Sequence, residues 1–562
     1  MESIRARIIF ITTLILLILN GTWIMVFSQP IPSSYTSGLP FSMPEVQVAT
    51  FPDRNVSIVN YGAVADGQTV NTKAFTDAIQ SCAKAGGGQV IVPAGIWLTG
   101  PIRFESNINL HLETGALILF SRNRDDFPLI PVPAPDSKNF ACAYPIYGYN
   151  LENVAITGDG IIDGSGEQWR PMKKSKYTAG QWNDKVESGG VISADGQMWW
   201  PSAQAMKGDE YLKSLRRDKK ALTKEDFIGA KDFLRPNMVV FHSCKKILLD
   251  GPTFRNSPKF CINPVQCENL VIRNIKIQND WNAQNGDGLD IGSSHNVVMY
   301  KCTVDAGDDA ICLKPGTIDQ VRNWTVACEN IVIAECIVYH GHGGFVIGSE
   351  TYGGTRNISV RNCSFIGTDV GLRFKSSRSR GGLTENVYID GIHMKNIATS
   401  AILFDSYYED DKPERGDVRI SAPITERTPQ FQKFYIKNIY CNGADKAIFV
   451  QGLPEQFIKD VELTNITISA KTGVTCFDVE DLKFNNVKIL LERGPVFDID
   501  NGRNISVEHP AYTTGAALFM KVAGTKSENI QLLDTDIKNA KKDFEFGKDV
   551  DSKVIIQKIQ HH

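Results

Sequence analysis

Four short motifs in the second half of the chain bring together residues suited to acid–base chemistry. They are Asn285-Gly286-Asp287-Gly288, Gly307-Asp308-Asp309-Ala310, Gly341-His342-Gly343 and Arg373-Phe374-Lys375. Clustered carboxylates repel one another, so at least one of them should bind its proton more tightly than usual. A protonated carboxyl beside ionised ones suits glycoside hydrolysis, which needs an acid for the leaving oxygen and a base for water. Each motif alone has a blander reading. Asp-Gly and Gly-Asp pairs are common in turns, three carboxylates could hold calcium, and a lone histidine is more often structural. Arg373 and Lys375 lie two apart on an expected strand, so both should point away from a core that Phe374 enters. They could simply neutralise the carboxylates, or they could grip the carboxylate of an acidic sugar.

Spacing raises these motifs above the bland readings, because the chain around them repeats. Units begin at Asn269, Asn296, Asn330, Asn357 and Asn386. One place on stand Leu270, Val297, Ile331, Ile358 and Val387; three on, Ile272, Met299, Ile333, Val360 and Ile389. Six on stand Ile275, Cys302, Cys336, Cys363 and Ile392; eight on, Ile277, Val304, Val338, Phe365 and Met394. Repeats of roughly 20–50 residues signal a solenoid or an array. Short strands with no room for helices favour an all-β parallel β-helix, whose coils stack about 4.8 Å apart. A β-propeller would need blades of roughly 40–45 residues. In the coil reading, Asp287 and Asp308 lie on neighbouring rungs and face the same way. Gly307 permits an unusual backbone that turns both Asp308 and Asp309 toward one site. The repeating Asn stacks at a turn and satisfies backbone groups there, and the cysteines of the offset-six column are small buried hydrophobes.

The remainder of the chain frames this repeat. Its 562 residues carry 60 Lys+Arg against 63 Asp+Glu, a balance that argues against nucleic-acid binding. Arg5 and Arg7 precede an apolar run to Phe27, which reads as a signal peptide over residues 1–28, cleaved near Ser28, or as a retained membrane anchor. Either way the rest is exported, and no later stretch is long and apolar enough to span a bilayer. Residues 29–50, rich in Pro and Ser, read as a flexible leader, and 51–562 as one catalytic domain. A helix over Asn71–Ala85, capped by Thr72, should cover the end of the solenoid core. Residues 165–236 break the repeat with Trp169, Trp182, Trp199 and Trp200, basic clusters and a helix near Tyr211–Leu222. These tryptophans either face a ligand or pack the insertion's own core. Cys142, Cys244, Cys261, Cys267, Cys312 and Cys328 are left open as possible bridges.

With these residues in place, the chain resembles glycoside hydrolase family 28, the polygalacturonases and their relatives. The four motifs match the family's Asn-Thr-Asp, Gly-Asp-Asp, Gly-His-Gly and Arg-Ile-Lys signatures in order and spacing. The departures, Gly286 and Phe374, fall between functional positions. The likeness runs from Tyr61 to about residue 490. It implies a right-handed parallel β-helix and inverting hydrolysis of pectic polysaccharide, without metal or cofactor, by a monomer. It also implies Asp308 as general acid, Asp287 and Asp309 as holders of the attacking water, and His342 as a tuner of the acid or a sugar contact. Arg373, Lys375 and Tyr408 would bind galacturonate, with Asn285 beside them. By analogy, the 165–236 insertion suggests a wall at one end of the groove and therefore exo action on galacturonan. The alternatives are a rhamnogalacturonan or other pectic hydrolase and, more distantly, a calcium-dependent pectate lyase or a non-catalytic glycan-binding β-helix.

Overall fold

A column of asparagines in left-handed backbone conformation sets the coil. Asn269, Asn296, Asn330, Asn357 and Asn386 all have φ between 54° and 60°, a conformation that short polar side chains tolerate better than most. Their amides bond to each other up the column: Asn330 donates to Asn296 at 3.2 Å, Asn357 to Asn330 at 3.0 Å and Asn386 to Asn357 at 3.4 Å. The expected stacking at a turn is present, and the side chains bond mainly to one another rather than to backbone, although Asn269 Oδ1 accepts from the Gln47 N–H at 3.4 Å. The backbone of each Asn makes the bend.

The computed structural model describes residues 25–27, 29–133, 139–218, 222–318, 327–413 and 417–558. Among them, 36 strands form one continuous sheet whose ladders are parallel throughout. The fold is a right-handed parallel β-helix. The apolar columns stack in register, with Leu270 paired to Val297, Ile331, Ile358 and Val387 in turn. The offset-six and offset-eight residues are buried too. All twelve cysteines are free and buried, so the six left open form no bridges and serve as small apolar fillers.

At one end, the helix Thr72–Lys84 lays Phe75, Ile79 and Cys82 over the first rungs. Thr72 does not cap it. The N-cap residue is Asn71, whose amide bonds to Val64, Thr69 and Leu98 carbonyls, and the Thr72 hydroxyl accepts from Gly100 N–H at 2.6 Å.

The expected flexible leader is instead an ordered strap on the outer face of the coils. Tyr35 stacks on Tyr300 with centroids 4.2 Å apart, and its hydroxyl donates to Glu335 at 2.8 Å. Val46, Ala49 and Phe51 bury against Ala155, Leu248, Val271 and Val298. Those outward-facing apolar residues need cover, and the strap supplies it. The proposed signal or anchor lies mostly outside the described residues. No helix among the described residues is long and apolar enough to cross a membrane.

Within 165–236 lie the helices Ala179–Glu187, Ala203–Asp218 and Lys224–Ile228, and a small antiparallel sheet of Met172–Lys173, Val191–Ile192 and Met198–Trp200. The helix expected near Tyr211–Leu222 begins earlier, at Ala203. Trp169 packs edge-on against Phe127 in the main core, and Trp182 and Trp199 are buried. Trp169, Trp182 and Trp199 are therefore packing residues, and Trp169 and Trp200 line a cavity described below.

Candidate active site

The site sits on one ladder of short strands: Ile262–Val265, Leu289–Ile291, Ile311–Leu313, Phe345–Ile347 and Val370–Lys375. Asp287 and Asp309 each lie two residues before their strand, and Gly288 N–H donates to the Asp309 carbonyl at 2.9 Å. These two acids thus occupy equivalent places on adjacent coils, and Asp308 stands one residue earlier. Gly307 allows this by its lack of a side chain. A Cβ there would lie 2.5 Å from the Ala283 carbonyl oxygen, and its φ is not in the left-handed region. The close approach of the 280–285 loop, not a special dihedral, is what requires glycine.

Asp287, Asp308 and Asp309 each place a carboxylate oxygen within 4.8 Å of the others. One water hydrogen-bonded to two of these oxygens can bridge such a span. Their surroundings differ sharply. Asp309 is buried; Lys375 Nζ lies 2.7 Å and Arg373 Nη1 3.1 Å from its two oxygens. Burial alone would raise its proton affinity, but Lys375 and Arg373 outweigh it and hold the carboxyl well below the usual range. Asp287 is also buried, and its Oδ1 has no hydrogen-bond partner. Burial and the neighbouring Asp290 push its carboxyl well above the ordinary value. Asp308 has the most exposed side chain of the three. Burial raises its proton affinity, but the His342 bond (Nδ1 to Oδ1, 3.1 Å) and the Lys375 charge bring it below the ordinary value. The crowding expected from the sequence is therefore expressed at Asp287, not Asp308.

Asp290 and Lys314 belong to this site and were missed. Lys314 Nζ lies 3.3 Å from Asp287 and 3.5 Å from Asp290, over the Phe260 ring. Asp290 is fully buried, and burial carries its carboxyl up to about 7 although Lys314 opposes the shift. Asp290 stands three residues after Asp287, and Lys314 follows the buried run Ile311–Leu313; a charge adjoining so apolar a run was the available signal.

Arg373 and Lys375 stand where expected, flanking a Phe374 packed against Phe404 and Phe434. Both lie near the face of Tyr408, at 5.6 and 4.7 Å. Asn285 adopts φ 53°, and its Oδ1 accepts from Arg235 at 2.8 Å. The insertion reaches the site as well: Lys176 Nζ lies 3.5 Å from the Gly307 carbonyl oxygen and 6.0 Å from the exposed Trp281 ring. On the Asn285 side, a cavity of about 670 Å³ opens between the insertion's Trp200 and Phe233 and the coils' Lys259, Phe260 and Asn285.

The model of the glycosyl hydrolases family 28 matches residues 181–481, and the chain belongs to that family. It is a glycoside hydrolase, acting on O-glycosidic bonds. The chain is 28% identical to an exo-poly-alpha-D-galacturonosidase of Dickeya chrysanthemi over 77% of this chain and 70% of the relative. It is 26% identical to a probable polygalacturonase of Vitis vinifera over 76% of this chain and 78% of the relative. Among solved structures, a hyperthermoactive exopolygalacturonase from Thermotoga maritima superposes with TM-score 0.63 at 29% identity, covering 76% of this chain and 92% of that one.

Proposed function

We propose that this hydrolase cleaves α-1,4-galacturonosyl linkages of galacturonan with inversion, removing units from a chain end. The observation that carries the reading is the trio of carboxylates with oxygens within 4.8 Å of one another, set beside Arg373, Lys375 and Tyr408. Asp308, the most exposed of the three, protonates the glycosidic oxygen. Asp309, kept ionised by Lys375 and Arg373, and Asp287 hold the water that attacks the opposite face, in a cluster tighter than the roughly 6.5–9.5 Å usual for inverting pairs. Asp287 and Asp308 are near neighbours in the carboxylate cluster. With one proton between them, the productive form carries it on Asp308 and leaves Asp287 ionised as base. The free protein favours the opposite arrangement. A uronate carboxylate near Asp308 adds negative charge, which raises its proton affinity and shifts the proton toward the acid. His342 positions Asp308 and tunes that transfer.

The cavity walled by the insertion supports exo action, as do the names of the Dickeya and Thermotoga relatives. An exported protein acting on cell-wall pectin, working as a monomer without metal, completes the reading. The test is product analysis on polygalacturonate. The parent should release monomer from the first minutes, and Asp308→Asn should release no reducing sugar while staying folded. An active Asp308→Asn variant would remove Asp308 from the acid role, and an early ladder of oligomers would remove the exo assignment.

A further inference from the structure

Most cations around the catalytic acids already have partners. Lys375 and Arg373 pair with Asp309, and Lys314 with Asp287 and Asp290. Two others differ. Arg235 donates to the Gln284 carbonyl at 2.6 Å, the Pro258 carbonyl at 3.3 Å and Asn285 Oδ1 at 2.8 Å, all neutral oxygens. Lys259 rests over the Phe260 ring at 4.9 Å. Among the described residues neither has a carboxylate within ion-pair distance. Both line the 670 Å³ cavity, where it meets Asn285.

Two neighbouring cations, half-buried and without a carboxylate at ion-pair distance, cost free energy in the unliganded protein. An anion entering the cavity removes that cost. Burial, followed by the charge of Arg235, pulls the Lys259 ammonium down to about 8, with Lys314 acting in the same direction and Asp287 and Asp290 against. Burial likewise pulls Arg235 down to about 10. The walls suit a sugar: Trp200, Phe233 and Phe260 offer aromatic surface for the ring, and the cations offer charge for its carboxylate.

We infer that Lys259, supported by Arg235, forms an anion site in the insertion-walled cavity that takes the carboxylate of a hexuronate lying beyond the catalytic carboxylates, opposite Arg373 and Lys375. This rests on the galacturonan reading. It assigns the cavity as a specificity site in its own right. A methyl-esterified or neutral sugar there leaves Lys259 unpaired and is rejected.

The experiment measures binding of trigalacturonate and of its methyl ester by calorimetry, to proteins that all carry Asp308→Asn so that no turnover occurs. Lys259→Met should weaken trigalacturonate at least tenfold and leave the methyl ester within twofold; Lys259→Arg should restore much of the loss. Equal effects on both ligands, or none on either, would overturn the site. Failure of the Asp308→Asn parent itself to bind trigalacturonate would overturn the galacturonan reading and this site with it. Proton uptake keeps the test open if Lys259→Met does not fold. Near pH 8 a bound carboxylate should draw about half a proton onto Lys259. Equal binding heats in buffers of different ionisation enthalpy would show no uptake and refute the assignment.

Discussion

Asp290→Asn offers the sharpest check on the electrostatics of this site. Asp290 is fully buried and its carboxyl rises to about 7, against about 3.9 in an unfolded chain. The folded protein therefore binds this proton more tightly than the unfolded chain does. Its contribution to stability is fully present below about pH 4, is lost as pH rises through the window between the two values, and is absent above about pH 7. Roughly three pKa units at about 1.4 kcal/mol each give about 4 kcal/mol. Asparagine mimics the protonated carboxyl in size and charge. Parent and variant should therefore match near pH 4, and the variant should gain up to about 4 kcal/mol by pH 7–8. With an unfolding entropy of about 2.1 cal/mol/K per residue over roughly 560 residues, that is a rise of about 3 °C in Tm. Differential scanning calorimetry across pH 4–8 reads this directly. Parallel Tm curves for parent and variant over the whole range would refute the reasoning.

Lys375→Met leaves the buried Asp309 with Arg373 alone. It should cost about 3 kcal/mol of stability and lower kcat on polygalacturonate by about a hundredfold, read by melting and by reducing-sugar assay. His342→Ala removes the bond that holds Asp308 below its ordinary value, so Asp308 should keep its proton to higher pH. The alkaline limb of the kcat/KM profile should move upward while the maximum falls; an unmoved limb contradicts the His342–Asp308 coupling. The twelve free, buried cysteines should be silent to a thiol reagent in the native protein, and all twelve should react after unfolding. Tyr35→Ala removes the Tyr300 stack and the Glu335 bond, at about 3 kcal/mol, and limited proteolysis should then cut within residues 29–50.

The parts of this fold that depend on period were legible in the sequence. Columns such as Ile272, Met299, Ile333, Val360 and Ile389 recur because stacked coils place equal offsets above one another. The structure pairs them in that register. The motifs that sit on this period, from Asp287 to Lys375, were found for the same reason. What escaped notice depends on contacts between residues far apart in sequence. The strap over Val271 and Tyr300 looks like a flexible Pro/Ser leader until the outward-facing apolar residues it covers are known. Asp290 and Lys314 read as ordinary charges until burial isolates them together. Lys259 and Arg235 gain meaning only from the cavity that the insertion closes. Gly307 stands out in the sequence, but the reason glycine is required there does not, since it is the loop at Ala283 that leaves no room for a Cβ.

The central claim is that the Asp287–Asp308–Asp309 cluster hydrolyses an α-galacturonosyl bond by single displacement with water. Proton NMR of trigalacturonate in the first minutes of reaction tests this most directly. The account predicts that the newly formed galacturonate end appears first as the β anomer and mutarotates afterwards, and that Asp308→Asn gives no such signal. First appearance of the α anomer, or of an unsaturated product, would contradict it.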